Sequence, residues 1–355
     1  MKKLLALTAL LVAVNLTAQS RKYSNEFLNI GVDAAAFGLS NAVVANTEDV
    51  NSGYWNPAGL LKIKKQQVSL MHASYFANIA NYDYVGYAQP LDEKSAFGIS
   101  IIRFGVDDIL DTTTLIEDDG SINYNNISLF SATDYAFTLS YARDLGIENL
   151  RFGANVKIIR RIIGDFANSW GFGFDAGLQY DYKKWHLGLM ARDITTTFNT
   201  WSIDENKFDN IKNAIPGQNQ ELPEETEITL PKLQLGVART FEMKNKLSLQ
   251  TEIDFNIRFS ETNDLISSSF ASINPALGMQ LDYNNLVFLR AGVGNFQEVT
   301  QLEGGEKLGV QPNMGLGFHY RGIYIDYALT NLGKTDESLY SNVFSIKIDW
   351  SVFGK

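Results

Sequence analysis

The sequence contains no cysteine. That removes disulfide scaffolds, thiolate metal sites, cysteine nucleophiles and lipidation at a processing site together. Histidine is nearly as scarce, with only His72, His186 and His319. An excess of basic charge is also missing: the net charge is −10 and the pI about 4.9. The electrostatic footprint of a nucleic-acid binder is therefore absent. After residue 20 no apolar run approaches the roughly 18 residues of a membrane-spanning helix. A membrane β-barrel escapes this exclusion, because its strands alternate apolar and polar residues and average out as neutral. Proline is sparse at 7, whereas glycine reaches 28 and aromatics 12%. Such a mixture suits long, closely packed strands.

What is present begins with Met1-Lys2-Lys3, an apolar run from Leu4 to Leu16, and Thr17-Ala18-Gln19. A basic start, a short hydrophobic stretch and a small residue at the processing point define a secretory signal peptide. The run is too short to cross a bilayer as a helix, which needs roughly 20 residues. The expected signal peptide covers 1–18, with Gln19 as the mature N-terminus.

From residue 66 onward the chain divides into segments of roughly ten residues with period-two alternation, the pattern of barrel strands. In Leu247 to Arg258, the residues Leu247, Leu249, Ile253, Phe255 and Ile257 share one face. Ser248, Gln250, Glu252, Asp254 and Arg258 share the other. A strand places alternate side chains on opposite faces, so this segment has one greasy and one charged side. Segments of this kind fall at 66–76, 81–90, 94–104, 133–144, 149–161, 169–181, 184–192, 231–241, 246–258, 270–282, 285–294, 311–320, 322–330 and 341–353. The expected fold is an all-β transmembrane barrel of about 14 antiparallel strands, an even number.

The links between the segments alternate in length. Leu91 to Glu93, Asp144 to Glu148, Tyr182-Lys183, Glu242 to Asn245, Tyr283-Asn284 and Arg321 are short turns. Between them fall 105–132, 162–168, 193–230, 259–269, 295–310 and 331–340, and only 77–80 on that side is short. Short turns at one end and long loops at the other belong to an outer-membrane barrel; a soluble sandwich offers no reason for the parity. Tyr180, Tyr182, Trp185, Tyr320, Tyr324 and Trp350 cluster near the short-turn ends, as an interfacial aromatic girdle would.

Residues 19–65 do not alternate for long enough to cross a membrane. A fourteen-stranded barrel leaves a lumen that its own side chains cannot fill, since only about eight strands give a self-filled interior. The segment is expected to plug that lumen, with 66–355 as the barrel. Within it, Asn56-Pro57-Ala58-Gly59 reads as a sharp turn. Pro57 fixes its own φ and keeps Asn56 out of the helical region. The Asn56 side chain can satisfy nearby backbone groups, and Gly59 allows close approach to the wall.

At these residues a resemblance enters. Asn41-Ala42-Val43-Val44-Ala45, Asp49 and Tyr54-Trp55-Asn56-Pro57-Ala58-Gly59-Leu60 resemble the N-terminal hatch of FadL-type transporters of hydrophobic compounds. They are closer still to the PorV/PorQ family of outer-membrane proteins of the type IX secretion system, which Glu26-Phe27-Leu28-Asn29-Ile30 also suits. The FadL likeness implies passive diffusion of hydrophobic small molecules through the lumen and a lateral opening. The PorV likeness implies partnership with the secretion translocon, or receipt of exported cargo and its delivery to the attachment machinery.

No constellation points to catalysis, a cofactor or a metal site. The histidines lack metal-ligand spacing, and no serine is singled out beside one; an enzyme is not expected. Gly171-Phe172-Gly173 and Gly315-Leu316-Gly317 sit inside strands, so they are not nucleotide loops and more simply allow close packing. The links 105–132 and 193–230 are acidic, and Asp118-Asp119-Gly120 lacks the spacing of a calcium loop. The first is also unusually apolar: Ile109, Leu110, Leu115 and Ile116 stand out as candidate partner contacts, with Ile122, Ile127, Leu129 and Phe130 nearby. Exposed apolar loop residues tend to mark partners. The expected surroundings are outer-membrane lipid and secretion-system proteins or exported cargo.

Overall fold

The computed structural model describes residues 24–75, 79–117, 119–205, 226–300, 305–331 and 340–350. The expected signal peptide, residues 206–225 of one long link, Asp118 and positions 351–353 of the last expected strand lie outside them.

The wall is built from β1 (Gln67–Tyr75), β2 (Ala80–Asp92), β3 (Ser95–Asp111), β4 (Ser128–Asp144), β5 (Leu150–Ile163), β6 (Ala167–Tyr182) and β7 (Trp185–Arg192). After two short strands, β8 (Thr197–Ile203) and β9 (Thr226–Thr229), come β10 (Lys232–Glu242), β11 (Leu247–Arg258) and the two-residue β12 (Ile266–Ser267). β13 (Ser272–Tyr283), β14 (Val287–Thr300), β15 (Glu306–Tyr320), β16 (Ile323–Asn331) and β17 (Tyr340–Asp349) complete it. Each wall strand pairs antiparallel with the next, β7 passes directly to β10 and β11 to β13, and β17 returns to β1. The result is a closed barrel of 14 strands. Closure leaves no unpaired edge, as a bilayer demands. No helix among the described residues is long and apolar enough to cross a membrane.

The register shows why the outside belongs in lipid. Leu70, Val85, Ile101, Phe137, Ile158 and Phe172 are opposite one another across β1 to β6 and form one continuous row. All six are exposed, from 37% to 57%. A continuous apolar row across six strands is far beyond what a soluble surface carries. The adjacent Met71, Tyr84, Ile102, Ala136 and Ile159 point inward and are buried. Tyr180, Tyr182, Trp185, Tyr320 and Trp350 are exposed at the short-turn end, where an interfacial girdle sits. Tyr324 departs from that expectation. Its ring stacks on His319 at 3.8 Å between centroids and lines a cavity with Lys347, so it faces the lumen.

Several links expected as loops are paired ribbons. The expected loop 105–132 shrinks, because β3 continues to Asp111 and β4 begins at Ser128. A register shift between Val106 and Ile109, with Asp108 at φ 58°, interrupts the alternation there and hides the strand from a period-two reading. Likewise β8 pairs with β6 and β9 above the end of β7, so strand pairing resumes inside the link 193–230.

Candidate functional site

Residues 24–63 are met by side chains from around the ring. Ser40 accepts a hydrogen bond from Asn313 on β15, Val43, Val44 and Ala45 donate to β11, and Gly53 accepts from Asn155 on β5. Asn56 reaches β6 and β7, while Ala34 donates to Ser345 on β17. The segment is thus hydrogen-bonded to β5, β6, β7, β11, β15 and β17.

Its local structure follows from short caps. A 3₁₀ turn spans Glu26–Asn29. Helix α1 (Ala34–Gly38) is capped by Asp33, whose side chain accepts from the Ala35 amide at 3.2 Å. Helix α2 (Ser52–Trp55) is followed by a second 3₁₀ turn, Pro57–Lys62. Between those two lies Asn56, extended at φ −160° as the residue before a proline should be. Its Oδ1 accepts from the Ala58 amide at 3.2 Å, and its Nδ2 donates to Val44 and Leu178 carbonyls, each at 3.0 Å. Asn56 and Ala58 are fully buried, and Pro57 and Gly59 are buried with them. The motif thus joins the turn, the preceding loop and the wall at one side chain.

The wall accommodates this backbone by lacking side chains where it passes. A Cβ at Gly177 would overlap the Asn56 side chain, and one at Gly188 would come to 2.5 Å of the Val44 carbonyl oxygen. A Cβ at Gly315 would come within 3.1 Å of the Gly38 Cα, whereas Gly171 and Gly173 make room for Asn199 and Thr197 of β8.

Charge fixes the segment further. The Asp254 carboxylate accepts from the Val43 and Val44 amides at 3.0 and 3.1 Å, and Glu252 accepts from Ala45 at 2.6 Å. Both were readable as lumen-facing from the alternation of β11; that they grip three consecutive amides was not, since nothing in the sequence relates residues 200 positions apart. Lys347 pairs with Asp49, and Lys157 sits buried between Asp175 and Asp193 at 2.8 and 2.7 Å. Arg192 lies over the Tyr54 ring at 4.6 Å and donates to the Tyr54 carbonyl at 2.9 Å. Asp33 is buried beside Asp326, and burial first, then that neighbour, pushes its carboxyl up to about 6 against the pull of Lys347. Burial also raises the Tyr54 phenol.

The segment separates two chambers. One, of about 250 Å³, lies toward the long links and is lined by Leu28, Tyr54, Arg192, Lys232 and Arg258 among others. The other, of about 630 Å³, opens toward the short turns and holds Asp33, Asp49, Arg290, His319, Asp326 and Lys347. Trp55 lines both and stands in the partition.

The second expected group lies elsewhere. Ile109 and Leu110 belong to β3, opposite Phe130 and Leu129, while Leu115 and Ile116 form the tip beyond it, with Ile116 bridging to Ile122. Leu110, Ile116, Ile122, Tyr124 and Leu129 are exposed by 58% to 72%. The fold does not bring this tip to the Asn56 turn. Among the described residues no group of three or more histidine and acidic side chains could hold a metal.

Comparison with known proteins is consistent with this architecture. A toluene transporter of Pseudomonas putida, TodX, superposes with a TM-score of 0.60 at 14% identity, covering 93% of this chain and 100% of that one. The toluene transporter TbuX of Ralstonia pickettii gives 0.54 at 12% identity, over 90% and 98%. A FadL homologue of Pseudomonas aeruginosa gives 0.51 at 14%, over 90% and 98%. At these identities the likeness concerns the fold alone. No curated protein matches the sequence. The family model described as type IX secretion system protein PorV matches residues 17–257, about two thirds of the chain. With the closed barrel and its apolar belt, that match makes this chain an outer-membrane member of the PorV family of type IX secretion system proteins.

Proposed function

We propose that this barrel serves type IX secretion as a closed, non-catalytic binding partner: residues 24–63 act as its hatch, and the β3–β4 ribbon docks exported cargo or the translocon. The observation that carries the reading is the exposed apolar tip around Leu110, Ile116, Ile122 and Leu129, on a hairpin that overhangs the wall. Exposed apolar groups at a ribbon tip gain stability by being covered. A passage for hydrophobic compounds is supported less well. The chamber on the short-turn side is lined by Asp33, Asp49, Asp326, Arg290 and Lys347, and a hydrocarbon crossing it would desolvate charges without replacing their partners.

The test is capture of interacting proteins from native outer membranes. Wild type is expected to co-purify with secreted proteins or a large translocon subunit. A variant carrying Leu110→Ser, Ile116→Ser and Leu129→Ser is expected to lose them while still migrating as a folded barrel. Equal capture by both would remove the ribbon from the proposal. Bound hydrocarbon in place of protein would favour passive transport of hydrophobic small molecules.

A further inference from the structure

Among the described residues, the chamber on the long-link side has three cations in its lining, Arg192, Lys232 and Arg258, and no carboxylate. In a chain of net charge −10 this is not a matter of composition. Arg192 is 8% exposed and spends its donors on neutral acceptors, the Gln234 side chain at 2.6 Å and the Tyr54 carbonyl at 2.9 Å. Lys232 donates to Asn29 at 2.6 Å and pairs at 3.9 Å with the exposed Glu26, which lies outside the chamber lining. Arg258 has no carboxylate at ion-pair distance among the described residues. Partly enclosed cations that outnumber the carboxylates beside them favour an anion.

The rest of the lining narrows which anion. It includes eight carboxamide side chains, among them Asn41, Asn274, Gln311 and Asn313. The Oδ1 atoms of Asn41 and Asn313 are buried and receive no hydrogen bond. Those two are shut off from the chamber, and the remaining carboxamides supply the acceptors that line it. A fatty acid could answer the cations with its carboxylate but has no donor for the amides. A hydroxylated ring with a carboxylate answers both. A volume of about 250 Å³ is below the ~300–1,000 Å³ of sites for drug-sized ligands, so it suits one ring rather than a chain of them.

The geometry points to a binding site for an acidic sugar, of the uronic acid type, in the half of the lumen nearest the long links. The carboxylate lies among Arg192, Lys232 and Arg258, and the hydroxyls donate to the carboxamide oxygens.

Calorimetric titration of the full-length protein in detergent tests it, with glucuronate, glucose and octanoate as probes. Glucuronate is expected to bind, with glucose and octanoate weaker by about tenfold or more. Arg258→Gln should weaken glucuronate by about tenfold, and Arg258→Lys should recover most of the loss. Lys232→Gln serves the same purpose if the first variant does not reach the folded, heat-modifiable form. No heat with glucuronate, glucose binding as tightly, octanoate binding more tightly, or a folded Arg258→Gln with unchanged affinity would each overturn the site.

Discussion

Replacing Asn56 by alanine isolates the side chain on which the hatch turns. The substitution removes an acceptor from the Ala58 amide and a donor from the Val44 and Leu178 carbonyls. These groups are buried, and a buried polar group without a partner costs roughly 1–3 kcal/mol. Val44 retains a 3.4 Å contact from Gln179, which softens one of the three losses. A net weakening of ~3 kcal/mol is expected, which raises the population of a displaced hatch by about a hundredfold. The strand-to-strand ladder closes without Asn56, so heat-modifiable migration should persist. In planar bilayers the variant should open frequently, wild type rarely, and a deletion of 24–63 continuously. Open fractions that agree between wild type and Asn56→Ala, alongside a conducting deletion, would show that this turn does not hold the segment.

Three other expectations concern the same interior. Asp33→Asn should abolish a pH dependence: with its carboxyl raised to about 6, Asp33 supports the docked hatch fully below the ordinary carboxyl range and loses that support, about 3 kcal/mol, as pH rises through 6. Protection factors of the 33–37 amides at pH 4 and pH 8, each taken against the intrinsic rate at that pH, read this, and equal protection in wild type would contradict it. Gly188→Val should expel the hatch backbone by overlap with Val44, giving conductance like the deletion; a silent, folded variant would mean that the loop can retreat. Lys157→Met leaves Asp175 and Asp193 buried without their cation, and a loss of roughly 3–5 kcal/mol is expected for breaking such a pair; unchanged thermal unfolding would refute it.

Most of the wall was legible because lipid on one side and a polar interior on the other write themselves as alternation. β11 shows it plainly: Ile253 and Phe255 are exposed outside, while Glu252 and Asp254 are buried inside. Legibility failed where the period slips. The shift at Val106 to Ile109 concealed the upper parts of β3 and β4, and Tyr324 was misplaced because an aromatic at a strand end suits either face. In the hatch, Asn56-Pro57 announced a turn from local stereochemistry alone. The grip of Glu252 and Asp254 on the amides of 43–45, and the gathering of Arg192, Lys232 and Arg258 at one chamber, depend on contacts distant in sequence and left no local pattern.

The first and last strands meet at the β1–β17 seam, and the hatch binds the last strand from within: Asp33 and Ala34 join Ser345, and Asp49 joins Lys347. This imposes an order on assembly. The bonds from residues 33, 34 and 49 to residues 345 and 347 can form only when β17 has taken its place beside β1. Seating them then ties the two ends of the polypeptide together across the seam, as a clasp fastened only once the ring is whole.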